Sequence, residues 1–159
     1  MPILTPVKPE EADALLAFYN SIKGTPNSAW TDDYPDMTDV QNDLARGATW
    51  AFREGSRIIG AISIEEDEVL LTDCPVDRSL RSVCITRVGV ARDCQGRGIA
   101  KELVRALLPI LKDKGIEAAR LLVSDRNPAA QKTYAACGFA IVGECDLYDQ
   151  HFICEEKLL

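Results

Sequence analysis

The chain has 159 residues, 47% hydrophobic and 27% charged, with a formal net charge of −7. This is ordinary globular usage, which excludes disordered and collagen-like chains and suits one domain with one core. The longest uncharged run, residues 133–143, falls short of the roughly 18 apolar residues a membrane span needs, and no basic-then-apolar leader opens the chain.

In chain order, residues 3–7 read as a short strand ended by Pro9. Residues 10–23 place Ala14, Leu15, Phe18, Tyr19 and Ile22 at helical spacing. Residues 24–35 are turn-rich and read as a loop, and Asp36 caps a second helix running to Arg46. Residues 49–53 and 57–64 form a hairpin around Glu54-Gly55-Ser56. Residues 65–68 turn the chain, 73–79 form a loop, and 82–90 are a strand rich in β-branched residues. Residues 95–114 make the strongest helix, with an apolar stripe of Ile99, Leu103, Leu107 and Leu111 and a kink or early end expected at Pro109. A strand at 118–123, a short helix at 128–137 and strands at 139–145 and 150–158 complete the chain. Hairpins first, then strand–helix alternation without repeats, imply one mixed α/β domain over residues 1–159.

Charge and cysteine usage narrow the chemistry. Residues 1–80 carry fifteen acids against six bases, whereas residues 81–132 carry eleven bases against five acids. A basic zone inside an acidic protein suits a small polyanionic ligand or a solvated helix face, and argues against nucleic acid. Six cysteines without C-x-x-C spacing and a single histidine argue against a metal site or a disulfide scaffold, so the expected compartment is the reducing cytoplasm.

The informative segment is Val88-Gly89-Val90-Ala91-Arg92-Asp93-Cys94-Gln95-Gly96-Arg97-Gly98-Ile99-Ala100. A strand enters a two-glycine turn that opens the long helix, where amides without intrahelical partners meet the positive end of the dipole. Such a turn receives an anion, and glycines let the backbone approach a phosphate. Arg92 and Arg97 flank it as charge partners. A Walker loop is absent, and Lys101 occupies the position where a dinucleotide fingerprint needs a third small residue.

The Gln-x-x-Gly-x-Ala run from Gln95 to Ala100 resembles the acetyl-coenzyme A loop of the GNAT superfamily of N-acetyltransferases. Asn127-Pro128-Ala129-Ala130, Tyr134 and Cys137-Gly138-Phe139 look like the family's later helix and strand. Ile58-Ile59-Gly60-Ala61-Ile62 looks like its central hairpin strand, and the resemblance covers roughly residues 48–159. It implies a mixed, mostly antiparallel twisted sheet of about six to seven strands flanked by about four helices, with a splayed parallel pair binding the cofactor.

The resemblance also implies roles. Amides of Gln95, Gly96, Arg97, Gly98, Ile99 and Ala100 would hold the diphosphate of acetyl-CoA. The backbone at Val88, Gly89 and Val90 would bind the pantetheine arm. Asn127 and Ala130 would hold the far side of that arm, and Tyr134 would face the thioester sulfur. The implied reaction is direct attack of a primary amine on the acetyl thioester, with no cysteine nucleophile. The alternatives are a coenzyme A-binding sensor without turnover and a transferase of another acyl group. The general base is open among Glu65, Glu66, Asp73 and Glu144, with Glu65 the first choice. Trp30, Tyr34 and Arg87 are the candidates for the acceptor side. The acceptor would be a small molecule or peptide, and the protein a monomer or homodimer. His151, Cys94 and Cys137 read as structural.

Overall fold

The computed structural model describes residues 2–25 and 30–159, so positions 26–29 of the expected loop lie outside the described residues. The elements are β1 (Thr5–Pro6), α1 (Ala12–Ile22), α2 (Met37–Ala45), β2 (Thr49–Glu54), β3 (Arg57–Glu65) and β4 (Ser82–Val90). There follow α3 (Ile99–Asp113), β5 (Ala118–Ser124), α4 (Pro128–Ala136), β6 (Ala140–Leu147) and β7 (Gln150–Leu158). The strands form one mixed sheet in the order β1-β2-β3-β4-β5-β7-β6. The β1–β2, β2–β3, β5–β7 and β6–β7 ladders are antiparallel. β4 and β5 run parallel, with Ser82, Val83 and Cys84 opposite Ala118, Ala119 and Arg120. A seven-stranded mixed sheet with one parallel pair is what the resemblance implied. Among the described residues, no helix is long and apolar enough to cross a membrane.

The chain divides into two compact units. One is the chain through Ile64 with Arg87–Leu103, the other Glu65–Thr86 with Val104–Leu159. In the first, Leu15, Phe18, Tyr19 and Ile22 of α1 and Val40 and Leu44 of α2 are buried with Trp50, Phe52, Ile58, Ile59 and Ile62 of the hairpin. Fully burying each large side chain contributes about 1.5–3 kcal/mol relative to exposure. The α2 start is a reciprocal capping box, in which the Asp39 amide donates to Asp36 and the Asp36 amide donates to Asp39. The first turn of α3 lies against β3 at Gly60, where an added Cβ would stand 3.1 Å from Leu103 and 3.2 Å from Ile99.

In the second unit, residues 66–79 lie on the β-sheet face that carries Cys84, Arg120 and Cys154. Arg120 is fully buried there and donates to Asp67 (2.8 Å), Glu156 (2.8 Å) and the Asp77 carbonyl (2.8 Å). Asp67 also accepts from Ser82 Oγ at 2.7 Å and from the Val69 amide at 3.0 Å. On the opposite face, a Cβ at Gly138 would meet Lys157 Nζ at 2.8 Å, so β7 runs under the end of α4. The β6–β7 hairpin turns at Tyr148 and Asp149, with φ of 54° and 59°. Two successive left-handed residues are the signature of a tight primed turn.

Three expectations shift. Helix α3 begins at Ile99 rather than at residue 95, because Gly96 and Gly98 hold φ of 81° and 75°, incompatible with a right-handed helix. It also continues through Pro109 to Asp113 instead of ending early. Pro109 stands on the exposed side, where water reaches the helix carbonyls and a missing amide costs least. Short 3-10 turns at Glu68–Leu71 and Arg92–Cys94 occupy segments read as a plain turn and the run into a helix. Single turns carry no periodicity from which to read them.

Candidate functional site

The glycine turn is exposed from Gln95 to Gly98. The first intrahelical bond of α3 runs from the Glu102 amide to the Gly98 carbonyl, 3.1 Å. The amides of Gly98, Ile99 and Ala100 therefore precede the helical ladder. A Cβ at Gly96 would meet nothing within 4 Å, and at Gly98 only the Lys101 stem at 4.0 Å. Main-chain donors, two left-handed glycines, open space and the positive end of a fifteen-residue helix meet at this turn, a combination whose chemistry suits a phosphate anion. Arg97 stands exposed between the glycines.

Not every residue named from the sequence faces this turn. The Gln95 amide closes the preceding 3-10 turn on the Arg92 carbonyl at 3.4 Å, and its side-chain amide donates to the Val90 carbonyl at 3.2 Å. Arg92 donates through Nε to the Ser21 carbonyl (2.6 Å) and through Nη2 to the Lys23 carbonyl (2.8 Å). It fastens the end of α1, where carbonyls lack helical partners, rather than standing beside the anion turn. Asp93 pairs with Arg57 at the start of β3, and that guanidinium holds the Asp93 carboxyl below its ordinary range. The base of the turn is thus fixed from two sides.

Arg87, Tyr34 and Trp30 are brought to neighbouring positions on β4. Arg87 sits at φ 46°, a left-handed conformation that costs a non-glycine residue about 1–3 kcal/mol. Its guanidinium forks onto Asp43 of α2, Nε–Oδ2 2.7 Å and Nη2–Oδ1 2.8 Å, and donates from Nη1 to the Tyr34 hydroxyl at 2.9 Å. Asp43 is 2% exposed, so the pair is a buried one that holds the kink in β4. Sequence reading offered Arg87 as a solvent-facing cation or a carboxylate clamp; its guanidinium is held on Asp43, which it shares with Arg46 Nη2 at 2.8 Å. From the sequence Asp43 reads only as an acid in the early turns of the second helix, because an acid on an exposed-looking helix carries no sign of a partner 44 residues away. Two residues further on, a Cβ at Gly89 would stand 2.6 Å from Ile22 and 3.1 Å from Trp30. The Trp30 ring meets Tyr19 edge-on at 5.1 Å. Glycine at 89 therefore lets α1 and Trp30 close directly on the strand.

On α4, the Asn127 side chain accepts from the Ala130 amide at 3.1 Å and caps the helix, with Pro128 in its first turn. Asn127 Oδ1 and the Ala130 amide, on the two residues the resemblance places beside the cofactor, bond to each other at the head of the helix. Tyr134 lies two turns on, its ring edge-on to Phe139 at 5.8 Å. Burial, reinforced by the nearby Glu155 carboxyl, pushes the Tyr134 hydroxyl well above its ordinary pKa. The phenol consequently keeps its proton at any pH near neutrality.

Glu65 is the half-buried last residue of β3. Glu144, another candidate base, faces His151 Nε2 at 3.2 Å, while His151 Nδ1 meets Asp146 at 2.8 Å. These hydrogen bonds raise the His151 pKa above its ordinary value, those of Asp146 and Glu144 in that order. A raised folded-state value means the contribution is complete below the unfolded pKa, near 6.5, and is lost as pH rises through the folded one. An NMR titration should therefore find His151 titrating above about 6.5, and Asp146→Asn should bring it down; no change in that variant refutes the pairing. Cys94 is 1% exposed. Among the described residues, no group of three or more His, Cys, Asp or Glu is placed to hold a metal ion.

With this geometry in hand, comparison with known proteins is direct. The profile of the Acetyltransferase (GNAT) family matches residues 15–139. N-acetyltransferase 8F1 of Rattus norvegicus is 28% identical over 111 residues, covering 69% of this chain and 48% of the relative. Human N-acetyltransferase 8B is 26% identical over 130 residues, covering 76% of this chain and 55% of the relative. The chain thus spans about half the length of the curated relatives it matches. A GNAT-family acetyltransferase structure from Streptococcus agalactiae superposes with TM-score 0.80 at 17% identity, covering 98% of this chain and 94% of the other. The PaiA N-acetyltransferase of Thermoplasma acidophilum, in complex with coenzyme A, superposes with TM-score 0.74 at 19% identity, covering 100% and 99%. These likenesses establish the fold, and a family profile spanning residues 15–139 establishes the lineage: the chain belongs to the GNAT family of acetyltransferases.

Proposed function

We propose that this chain transfers the acetyl group of acetyl-CoA to a primary amine of a small molecule or peptide. The single observation that carries the reading is the exposed, glycine-opened amide turn at the head of α3, with unfilled space beside Gly96 and Gly98. The amides of Gly98, Ile99 and Ala100, with those of Gly96 and Arg97, would hold the diphosphate, and Arg97 would add a cation. The main chain of Val88, Gly89 and Val90 would bind the pantetheine arm as an added strand does. Bound acetyl-CoA supplies an activated acyl thioester.

The chain's own groups then act on each end of the reaction. The amides around Val90, three residues beyond the left-handed Arg87, would stabilise negative charge on the carbonyl oxygen. Tyr134, held protonated by burial, would donate a hydrogen bond to the departing sulfur. Glu65 would relay the proton lost by the amine. Trp30, Tyr34 and Arg87 would border the acceptor. Asp43 pairs with both Arg87 and Arg46, two cations on one carboxylate, so a carboxylate on the acceptor would be favoured there. One acyl-CoA-binding domain over residues 1–159, working in a reducing cytoplasm, completes the proposal.

The test is direct. Acetyl-CoA at roughly a hundredfold above Kd should raise Tm by about 5 °C or more, and coenzyme A thiol should be released with a panel of amines. Gly98→Val forces a β-branched residue to φ 75° and fills the turn, so the thermal shift should vanish while far-UV circular dichroism stays unchanged. An equal shift in Gly98→Val and wild type would remove the turn from the site. A shift without thiol release for any amine would leave binding and overturn transfer.

A further inference from the structure

Cysteines 74 and 84 lie more than sixty residues from cysteines 145 and 154 in the sequence, yet Cys74, Cys84 and Cys154 share one buried apolar cluster against which Cys145 packs. The convergence has a definite cause. β6 is irregular between Ile141 and Gly143, and Gly143 pairs with Cys154 across the β6–β7 ladder. Cys74, carried in by residues 66–79, lies over Gly143, where a Cβ would come within 2.9 Å of its sulfur. With no side chain in the way, Cys74 Sγ reaches Cys154 Sγ at 2.8 Å. Cys145 Sγ stands 3.6 Å from Cys154 Sγ on the other side. The first separation exceeds a disulfide bond, about 2.05 Å, by less than about 1 Å. Cys84 is held apart, its thiol donating to Asp67 at 3.3 Å.

We propose that Cys145, Cys154 and Cys74 form a peroxide-oxidised thiol relay ending in a Cys74–Cys154 disulfide that clamps residues 66–79 onto β7. Cys145 is the only half-buried thiol of the six, so peroxide meets it first. Its thiolate attacks one peroxide oxygen, the O–O bond breaks, and sulfenic acid and water result. The Cys154 thiol displaces water from that sulfenic acid, forming Cys145–Cys154. Cys74 then attacks the Cys154 sulfur and releases Cys145 as a thiol. Overall, two thiols lose two electrons and two protons, and one peroxide becomes two waters. Burial raises the pKa of both Cys145 and Cys154, so oxidation is slow at neutral pH and accelerates about tenfold per pH unit as thiolate forms.

Purified protein treated with hydrogen peroxide, blocked with maleimide and digested without reduction should yield a Cys74–Cys154 cross-link preceded in time by Cys145–Cys154. Cys84, Cys94 and Cys137 should be recovered alkylated. Cys74→Ser should stop at Cys145–Cys154, and Cys145→Ser should slow the reaction about tenfold or more without changing its end product. The closed loop joins residues 80 apart, so oxidised wild type should melt about 5 °C or more above the reduced form, reversibly with dithiothreitol. Full alkylation of all six thiols after peroxide, a cross-link through Cys84, Cys94 or Cys137, or an unchanged Tm overturns the relay. None of these readouts depends on acetyl transfer.

Discussion

Tyr134→Phe should lower kcat by about 10²-fold while leaving the Kd for acetyl-CoA nearly unchanged. The phenol is positioned by its place on α4 and by the edge-on Phe139 ring at 5.8 Å, neither of which the substitution disturbs. Only the hydroxyl is lost. Its raised pKa defines the role more closely than the resemblance did. A thiol has an ordinary pKa near 8.5, so complete proton transfer from this phenol to a departing thiolate runs uphill. On the proposed reading the hydroxyl would act instead as a hydrogen-bond donor that strengthens as charge collects on sulfur, with water completing the protonation. The rate should rise with pH as the amine loses its proton and show no falling limb up to about pH 10, the ordinary tyrosine value. Stopped-flow detection of released thiol decides the matter: an unchanged kcat removes Tyr134 from the chemistry, and a falling limb below that pH contradicts its burial.

Asp67→Ala should be the most destabilising single change in the second unit, costing about 3–5 kcal/mol. Arg120 has no solvent exposure, and Asp67 is its partner at 2.8 Å with a side chain only 1% exposed. Removing the carboxylate leaves a buried guanidinium with Glu156 and one carbonyl, and strips acceptors from Ser82, Cys84 and the Val69 amide. Against a total stability of about 5–15 kcal/mol, a Tm fall of about 10 °C follows. The triple variant Asp67→Leu, Arg120→Met and Glu156→Gln removes all three charges and should recover a large part of the loss, since an apolar pair of similar volume avoids the desolvation cost. Equal Tm in Asp67→Ala and wild type would mean that water reaches Arg120.

The two-glycine turn ahead of α3 was legible because its conformation is local. Two glycines ahead of an apolar-striped helix dictate backbone conformation within a few residues, and only the start of α3 was misplaced. Roles assigned at the same turn by proximity in sequence fared differently. Arg92 adjoins the turn in the chain, but its guanidinium reaches back to the Ser21 and Lys23 carbonyls. Asn127 was recognised by its motif, and the structure adds that its Oδ1 caps α4. Long side chains with several donors choose partners by three-dimensional reach, which neighbouring letters do not encode.

By itself, the sequence determined the strand and helix pattern, the capped start of α2, the hairpin and the family, since each rests on short-range periodicity or on a contiguous motif. Tertiary structure alone decided the partners: Asp43 with Arg87, Asp67 with Arg120, and the meeting of three cysteine sulfurs over Gly143. All but Cys145–Cys154 lie tens of residues apart, and burial turned their charges and thiols from ordinary surface chemistry into fixed contacts. An isolated acid, arginine or cysteine reads alike in a sequence whether it faces water or a partner. Only the fold removes the water.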